Sequence, residues 1–210
     1  MKFEALVNWA LTPTKFVPDL SAARAKRDAL RGGFVHVRAE RLPEFCPPWV
    51  QGQLIGWRVH SPIDVTLTPL PQYEIPADCD SAESARATGQ QQVWMRGDAA
   101  IAVSAPPWLN GFEYLQDGRR QNMFIPNGLG TVEWRLGWTV RDPVGFGLLI
   151  VPTIGQESLG VEWGYLSLKA LERLEEKGLS IAVRPDREIR ISRGQEIARL
   201  IPISPEALVL

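Results

Sequence analysis

The sequence predicts a mainly β protein, either a barrel or a double-sheet sandwich with two peripheral short helices. About ten short segments alternate apolar and polar residues between Gly, Pro, Asn or Asp, which is typical of strands and turns. Only two segments space their apolar residues as a helix does. A chain of 210 residues can form this fold as one β-rich domain, 1–210, and two related β halves, 1–105 and 106–210, also fit the pattern.

The first half of the chain combines strand patterns with one capped helix. Asp19 is placed to cap a helix over Leu20–Arg31, which a Gly-Gly pair ends. Three prolines predict that Pro43–Trp49 is irregular. The polar, unpatterned segment Ala77–Gln92 predicts a mobile surface loop. Alternating segments predict strands at Lys2–Trp9, Phe34–Arg38, Leu54–His60 and Asp64–Leu70.

The second half is organised around the Trp-rich stretch Met123–Tyr165, which alternates between turn signals. Before it, a two-residue turn predicts a hairpin of Gln92–Arg96 and Ala99–Ala105. After it, leucines at helical spacing predict an amphipathic helix over Leu166–Lys177. Strands are then expected at Leu179–Val183, Glu188–Ile191 and Glu196–Ile203.

Two short motifs occur twice in the chain. Gly56-Trp57 begins a strand pattern, as Gly137-Trp138 does, and Pro-Pro-Trp stands at both 47–49 and 106–108. Duplicated strand-turn units would produce such echoes, but two short matches are weak evidence for a repeat.

Composition excludes several function classes. A formal net charge of −1 gives no basic surplus for nucleic acid, so nucleic-acid binding is not expected. No apolar run approaches the ~20 residues that a membrane helix needs, and no signal peptide is apparent. With two cysteines, the expectation is a cytoplasmic protein with reduced thiols. The spacing of the His and Cys residues matches no zinc pattern, so neither a metal nor a cofactor is predicted.

Four segments resemble, in order, the motifs of the dUTPase and dCTP deaminase superfamily. Their order and rough spacing agree with those of the family over about the last 90 residues. The last segment matches best, since Gly194 permits its tight turn and apolar residues follow it. The resemblance implies a β-barrel nucleotide enzyme. The segments are Phe124–Gly130, Gly145–Pro152, Gly160–Tyr165 and Ile191–Ile201.

The departures from that family concern its nucleotide chemistry. Where the family has Arg-Ser-Gly to hold phosphates, this chain has Thr153-Ile154-Gly155. Where it has a sugar-binding Asp, this chain has Glu162 beside Trp163, and the phosphate-binding tail is absent. The C-P-P segment, the G-W strand and the closing strand are also similar to an uncharacterised bacterial domain family, which implies no activity.

Several residues are candidates for a functional site. The resemblance places Glu162 and Tyr165 in an active hairpin, with Glu162 as acid or base and Tyr165 stacking or donating a hydrogen bond. His60, with Asp64 four residues on, is a further candidate base, although a structural His is more frequent in such a setting. A ligand-binding pocket is predicted from alternation and aromatic content. Its predicted residues are Trp57, Trp134, Trp138, Trp163 and Arg135, with burial of the tryptophans in the core as the alternative.

Three functions fit these observations. The first is a cofactor-free small-molecule-binding β-barrel, a homo-oligomer (dimer or trimer), with an apolar or aromatic ligand in a Trp-lined pocket and a role as a biosynthetic or tailoring enzyme. The second is a divergent dUTP- or dCTP-like hydrolase or nucleotide-binding regulator, with Mg²⁺-dependent pyrophosphate release that E162Q abolishes. The third is a non-catalytic assembly or partner-binding module whose exposed tryptophans and Ala77–Gln92 loop form contacts.

Overall fold

The structure is a computed structural model that describes residues 1–33, 42–76, 78–87, 89–90, 92–153 and 159–208. Within these ranges the chain is mainly β, with seventeen strands, five α-helices and two 3-10 helices. The strands are β1 Lys2–Ala5, β2 Trp57–His60, β3 Val65–Leu67, β4 Gln72–Ile75, β5 Gln92–Arg96, β6 Ala99–Val103, β7 Glu113–Gln116, β8 Arg119–Asn122, β9 Phe124–Gly128, β10 Thr131–Arg135, β11 Trp138–Arg141, β12 Gly147–Pro152, β13 Leu159–Val161, β14 Gly164–Leu166, β15 Ser180–Pro185, β16 Ile189–Ile191 and β17 Glu196–Ile203. The helices are α1 Leu20–Gly33, α2 Pro47–Leu54, α3 Ser81–Ala87, α4 Pro107–Asn110 and α5 Leu168–Leu174, with 3-10 turns at Pro43–Phe45 and Pro205–Leu208.

Two four-stranded antiparallel sheets form the centre of the fold. Sheet I has the order β13-β15-β10-β9, and sheet II has the order β14-β12-β17-β2. Side chains of both sheets meet in one apolar core, which is the packing of a sandwich. Among the described residues the strand pairings do not close into a barrel. The core includes Phe124, Val132, Trp134, Val161 and Ile181 from sheet I, and Val59, Leu148, Ile150, Ala198 and Leu200 from sheet II.

Strands of the first half pair with strands of the second half at three places. β2 lies beside β17, β1 beside β11 and β3 beside β16. The three-stranded sheet β4-β6-β5 and the hairpin β7–β8 lie outside these pairings. Residues 1–105 and 106–210 therefore contribute to the same sheets.

The Gly-Trp echo has a shared local structure. Gly56 and Gly137 both have positive φ, at 74° and 73°, and each leads directly into a strand. The rings of Trp57 and Trp138 both meet Phe3 edge-on, with centroids 5.2 and 5.4 Å apart. Phe3 of β1 is thus held between the two echoing tryptophans.

The segment Pro43–Trp49, predicted to be irregular, is instead helical. It holds a 3-10 turn and the start of α2, with proline at the first helical position. Proline is favoured there because its missing N–H would have no helical partner anyway. The second Pro-Pro-Trp does the same at α4, where Pro107 begins the helix. The prolines in this motif therefore mark helix starts.

The predicted mobile loop Ala77–Gln92 also contains a helix, α3. The carboxylate of Asp80 accepts hydrogen bonds from the backbone N–H groups of Ala82 and Glu83, both at 2.9 Å. These bonds lower the pKa of Asp80 below its ordinary value of 3.8, and the bond from Glu83 has the largest effect. Ala85 is buried against the β4-β6-β5 sheet. The capping signal Asp-x-x-Glu in this polar segment predicts such a helix start.

The other predicted elements are confirmed with shorter or shifted bounds. The helix over Leu20–Arg31 is α1, and that over Leu166–Lys177 is α5, where the Ser167 hydroxyl accepts from Ala170 N–H. The hairpin of β5 and β6 forms in the predicted register. The fold has more helices than the two predicted, and the predicted strand at Phe34–Arg38 lies outside the described residues.

Candidate functional site

The two residues of the predicted active hairpin belong to different sheets. The backbone N–H of Glu162 donates to Ala182 of sheet I at 2.9 Å, whereas Tyr165 pairs with Leu149 of sheet II. The Tyr165 phenol lies directly against Gly147, where a Cβ atom would come within 2.3 Å of its oxygen. Glu162 and Tyr165 are therefore not brought together as an acid–base pair.

Glu162 and Trp163 border a shallow depression on the outer side of sheet I. Its volume is about 230 Å³. Glu162 lies 3.7 Å from the guanidinium of Arg184, and both side chains are nearly half exposed. At the other side, Arg96 pairs with Glu133 at 2.7 Å. Trp163 is 70% exposed, so its indole projects from a surface whose charges are already paired.

Arg135, predicted to bind ligand, lies beside the same surface. Its Nε is 3.6 Å from Glu133, and its Nη1 donates to Gln121. It also lies near the hydroxyl of Tyr114, whose pKa is raised above its ordinary value of 10 mainly by burial. Arg135 therefore links sheet I to the β7–β8 hairpin.

Trp134 and Trp138 are fully buried in the core, at 0% exposure. Trp134 packs against Phe124 at 5.2 Å, and Trp138 against Phe3. Trp57 is half-buried, with the ammonium of Lys15 4.0 Å above its ring. The four predicted tryptophans are therefore not walls of one pocket, because two are core residues and Trp163 lies on the surface.

His60 has both ring nitrogens engaged. Nδ1 lies 2.9 Å from the carbonyl oxygen of Gly194, and Nε2 lies 2.9 Å from the Thr14 hydroxyl. Because a carbonyl oxygen only accepts, Nδ1 carries the proton, and in the neutral ring Nε2 accepts from the hydroxyl. Asp64 accepts from the backbone N–H of Arg193 and makes no hydrogen bond to His60. His60 thus ties β2 to the turn before β17.

A network of charged side chains lies next to His60, on the outer face of sheet II. Glu196 of β17 joins Arg199 at 2.8 Å and Arg58 at 3.1 Å, and Arg199 donates to Gln53 of α2 at 2.6 Å. Thr153 donates to the same carboxylate. All three charged side chains are less than one-third exposed. Among the described side chains of this network, two arginines share one carboxylate, which leaves one surplus positive charge on these three residues.

The guanidinium of Arg58 has N–H donors that are not used in hydrogen bonds within the described residues. Its Nε is buried and is not directed at Glu196, so the ion pair includes no hydrogen bond through that atom. Within the described parts of the chain, its guanidinium makes no hydrogen bond at all, although it carries five N–H donors. Instead it lies over the ring of Phe16, 4.2 Å from the centroid. Such a cation, fixed by stacking and still unbonded, is suited to bind an anion.

The network opens into a cleft of about 380 Å³ between α1, the first 3-10 turn and α2. Phe16 and Trp49 line it, in an edge-on pair with centroids 5.8 Å apart. Arg58 reaches it from sheet II. We call this space the aromatic cleft. It is lined by Phe16, Val17, Asp19, Ala22, Ala23, Lys26, Glu44, Trp49 and Arg58.

Asp19 fixes the helix that forms one wall of the cleft. Its carboxylate accepts from the backbone N–H of Ala22 and the hydroxyl of Ser21, both at 2.8 Å. These bonds lower the pKa of Asp19 below its ordinary value of 3.8, and the bond from Ala22 has the largest effect. The cap that the sequence predicted is therefore present.

A lowered carboxylate pKa in the folded state means that the cap stabilises α1 above pH 3.8 and weakens as pH falls through the folded value. We expect α1 helicity to fall below pH 3.8 in the wild type and to be independent of this titration in D19N, since Asn caps without titrating. Far-UV circular dichroism of the two proteins from pH 5 to pH 2 measures the difference. Identical acid profiles would contradict the role of the carboxylate.

A second groove of about 610 Å³ lies between residues 6–9, which follow β1, and the β7–β8 hairpin. The rings of Trp9 and Tyr114 meet edge-on in it, 4.9 Å apart. Its charged residues, Glu113 and Arg120, pair with each other at 3.5 Å. It offers apolar surface without an unpaired charge.

No group of three or more His, Cys, Asp or Glu side chains placed to hold a metal occurs in the parts that the structure describes. In the same residues, no helix has the length and hydropathy needed to cross a bilayer. Cys46 and Cys79 are exposed free thiols.

Sequence reasoning did not find the aromatic cleft. Arg58 follows Trp57 and faces outward while Trp57 and Val59 contact the core, so strand alternation predicts an outward arginine there. Phe16 and Trp49 come from segments without strand patterns, and their meeting with Arg58 depends on tertiary structure. No protein-family model matches the chain, and no curated protein matches it significantly.

Proposed function

We propose that this protein binds a small anionic molecule with an apolar or aromatic body in the aromatic cleft. The observation that supports this proposal most directly is that the guanidinium of Arg58 lies over Phe16 and makes no hydrogen bond within the described residues. Phe16 and Trp49 provide the apolar contact. This retains the small-molecule ligand expected from the sequence and moves its site away from the four predicted tryptophans.

The electrostatics favour an anion. Glu196 offers two oxygens to two arginines, and Arg199 also binds Gln53. A ligand carboxylate would supply the acceptor that Arg58 lacks, in the bidentate geometry that guanidinium prefers. The partial burial of the network strengthens this interaction, because screening by water is weaker there than at an exposed site.

The size of the cleft restricts the ligand. About 380 Å³ is at the low end of the roughly 300–1,000 Å³ of small-molecule sites. A single aromatic ring with a short carboxylate chain suits this space better than a nucleoside triphosphate.

Calorimetric titration tests the proposal, with 3-phenylpropionate as the anionic probe. We expect saturable binding of 3-phenylpropionate, weaker binding of the uncharged 3-phenylpropanamide, and weak binding of dUTP and dCTP with or without Mg²⁺. Emission of Trp49, compared with W49F, reports whether the probe occupies the cleft. Equal affinity for acid and amide, or tight binding of either nucleotide, would overturn the proposal.

Trp163 favours a second candidate, a partner- or self-assembly module. Its indole is 70% exposed and is bordered by the Glu162–Arg184 and Arg96–Glu133 pairs. An aromatic anchor within a polar rim is the arrangement found at protein interfaces. We expect a dimer or trimer whose mass falls to that of the monomer in W163A, measured by size-exclusion chromatography with light scattering. A monomeric wild type would exclude self-assembly through this surface.

A further inference from the structure

Glu44 places a carboxylate in the aromatic cleft. It lies in the 3-10 turn Pro43–Phe45 and lines the cleft together with Arg58. Its Oε2 is buried without a hydrogen-bond partner, and among the described residues no ion pair is formed by its side chain. A shielded carboxylate oxygen without a donor is costly, and a cation that pairs with the carboxylate lowers the cost of keeping it charged there.

A ligand in the cleft can pair with this carboxylate through its other oxygen. The terminal torsion of a Glu side chain is roughly two-fold, and rotation exchanges two equivalent oxygens, so one of them stays shielded in either orientation. The turn that carries Glu44 is held by backbone bonds from Phe45 and Cys46, at 3.0 and 2.9 Å. The carboxylate therefore lines the cleft from a fixed backbone.

Arg58 and Glu44 have opposite charge and line the same space. Arg58 offers donors to an anion, and Glu44 offers an acceptor to a cation. Phe16 and Trp49 contribute apolar surface to that cleft. A simple carboxylate would satisfy Arg58 and would leave Glu44 unpaired near a second negative charge, which is unfavourable.

Resting on the proposed function, we infer that the ligand is a small zwitterion with an apolar or aromatic body, such as a free aromatic amino acid. Its carboxylate binds Arg58, its ammonium group binds Glu44, and its body packs against Phe16 and Trp49. Each charge of the ligand then faces a side chain of opposite charge, and the ligand adds no net charge to the site.

The test uses two zwitterions that differ in the separation of their charges. L-phenylalanine is compared with 3-phenylpropionate and phenethylamine, and 4-(aminomethyl)benzoate with 4-methylbenzoate. For at least one zwitterion, calorimetry is expected to show affinity about tenfold or more above its matched carboxylate, as a charge-assisted hydrogen bond provides. Phenethylamine, which lacks the group for Arg58, is expected to bind weakly.

The variant E44Q then assigns the added affinity to Glu44. It keeps the side-chain shape and removes the charge, so the advantage of the zwitterion should fall at least severalfold while 3-phenylpropionate binds as well as before or better. E83Q removes a carboxylate from α3 and should leave both affinities unchanged. If neither zwitterion exceeds its matched carboxylate, or E44Q leaves the advantage intact, the inference fails. Continued Arg58-dependent binding of 3-phenylpropionate would in that case leave the proposed function standing.

Discussion

Replacing Trp134 with Ala is expected to lower the free energy of unfolding by about 3–5 kcal/mol, the cost typical of deleting a large buried aromatic side chain. Trp134 is fully buried and packs on Phe124, which in turn meets Trp108 and Phe112 edge-on at 5.3 and 5.9 Å. Truncation would open a cavity at the centre of this aromatic cluster. Urea denaturation followed by far-UV circular dichroism measures the loss.

The matched control is W163A, the same truncation at an indole that is 70% exposed, with all variants measured at a protein concentration at which the wild type is monomeric. Surface substitutions of this kind usually stay within about 0.5 kcal/mol. W134F should cost much less than W134A, because it keeps a ring and removes the indole N–H, which has no hydrogen-bond partner. Equal losses in W134A and W163A would contradict the division into core and surface tryptophans.

This contrast shows a limit of strand alternation. Trp134 and Trp138 are an even number of residues apart and would share one side of an uninterrupted strand, but they lie in two strands, β10 and β11, and both contact the core cluster. Whether that side faces the core or a pocket is not contained in the alternation, because both environments favour apolar residues. The two tryptophans are buried because sheet II packs against them, with Leu148 and Leu200 in the same core.

The hairpin around Trp163 shows a different limit. The sequence pattern treats Gly160–Tyr165 as one unit, and the resemblance to nucleotide enzymes assigns Glu162 and Tyr165 to one site. In the structure the chain passes from β13 in sheet I to β14 in sheet II within this segment. A change of sheet over three residues leaves no period-two signal, so the separation of the two side chains could not be predicted locally.

Helices were the least predictable elements. In α2 and α3, prolines and small polar residues obscured the apolar spacing, while the signals of the helix ends were present. Pro47 stands at the first helical position, and Asp80 caps α3. End signals carry more information than periodicity in helices of seven or eight residues, because so few turns present a buried face.

The candidate site combines a predictable residue with unpredictable neighbours. That Arg58 points outward follows from alternation beside Val59, which is fully buried. That it remains without a hydrogen bond depends on Glu196, which is shared with Arg199 and lies in β17, at the other end of the chain from β2. Competition between two arginines for one carboxylate is a property of the β2–β17 pairing and has no local signature.

Replacing Arg58 with Met is expected to weaken binding of 3-phenylpropionate about 10- to 150-fold, the equivalent of the roughly 1.5–3 kcal/mol of hydrogen bonds to charged groups. Methionine keeps an unbranched apolar stem against Phe16 and removes the guanidinium that lies 4.2 Å from the ring. Glu196 retains Arg199 at 2.8 Å, so the variant leaves no unpaired carboxylate there. The urea midpoint should therefore change little while the affinity falls.

The matched control for charge is R24M, which removes an exposed arginine of α1 that does not line the cleft. If long-range attraction alone brought the anion to the protein, R24M and R58M would weaken binding alike, and both effects would disappear in high salt. A contact at Arg58 predicts instead that R58M retains its defect at 0.5 M NaCl, whereas R24M behaves as the wild type. R58K should recover only part of the affinity, because an ammonium group cannot bind a carboxylate in bidentate fashion. Unchanged affinity in R58M would remove the cleft from consideration as the anion site.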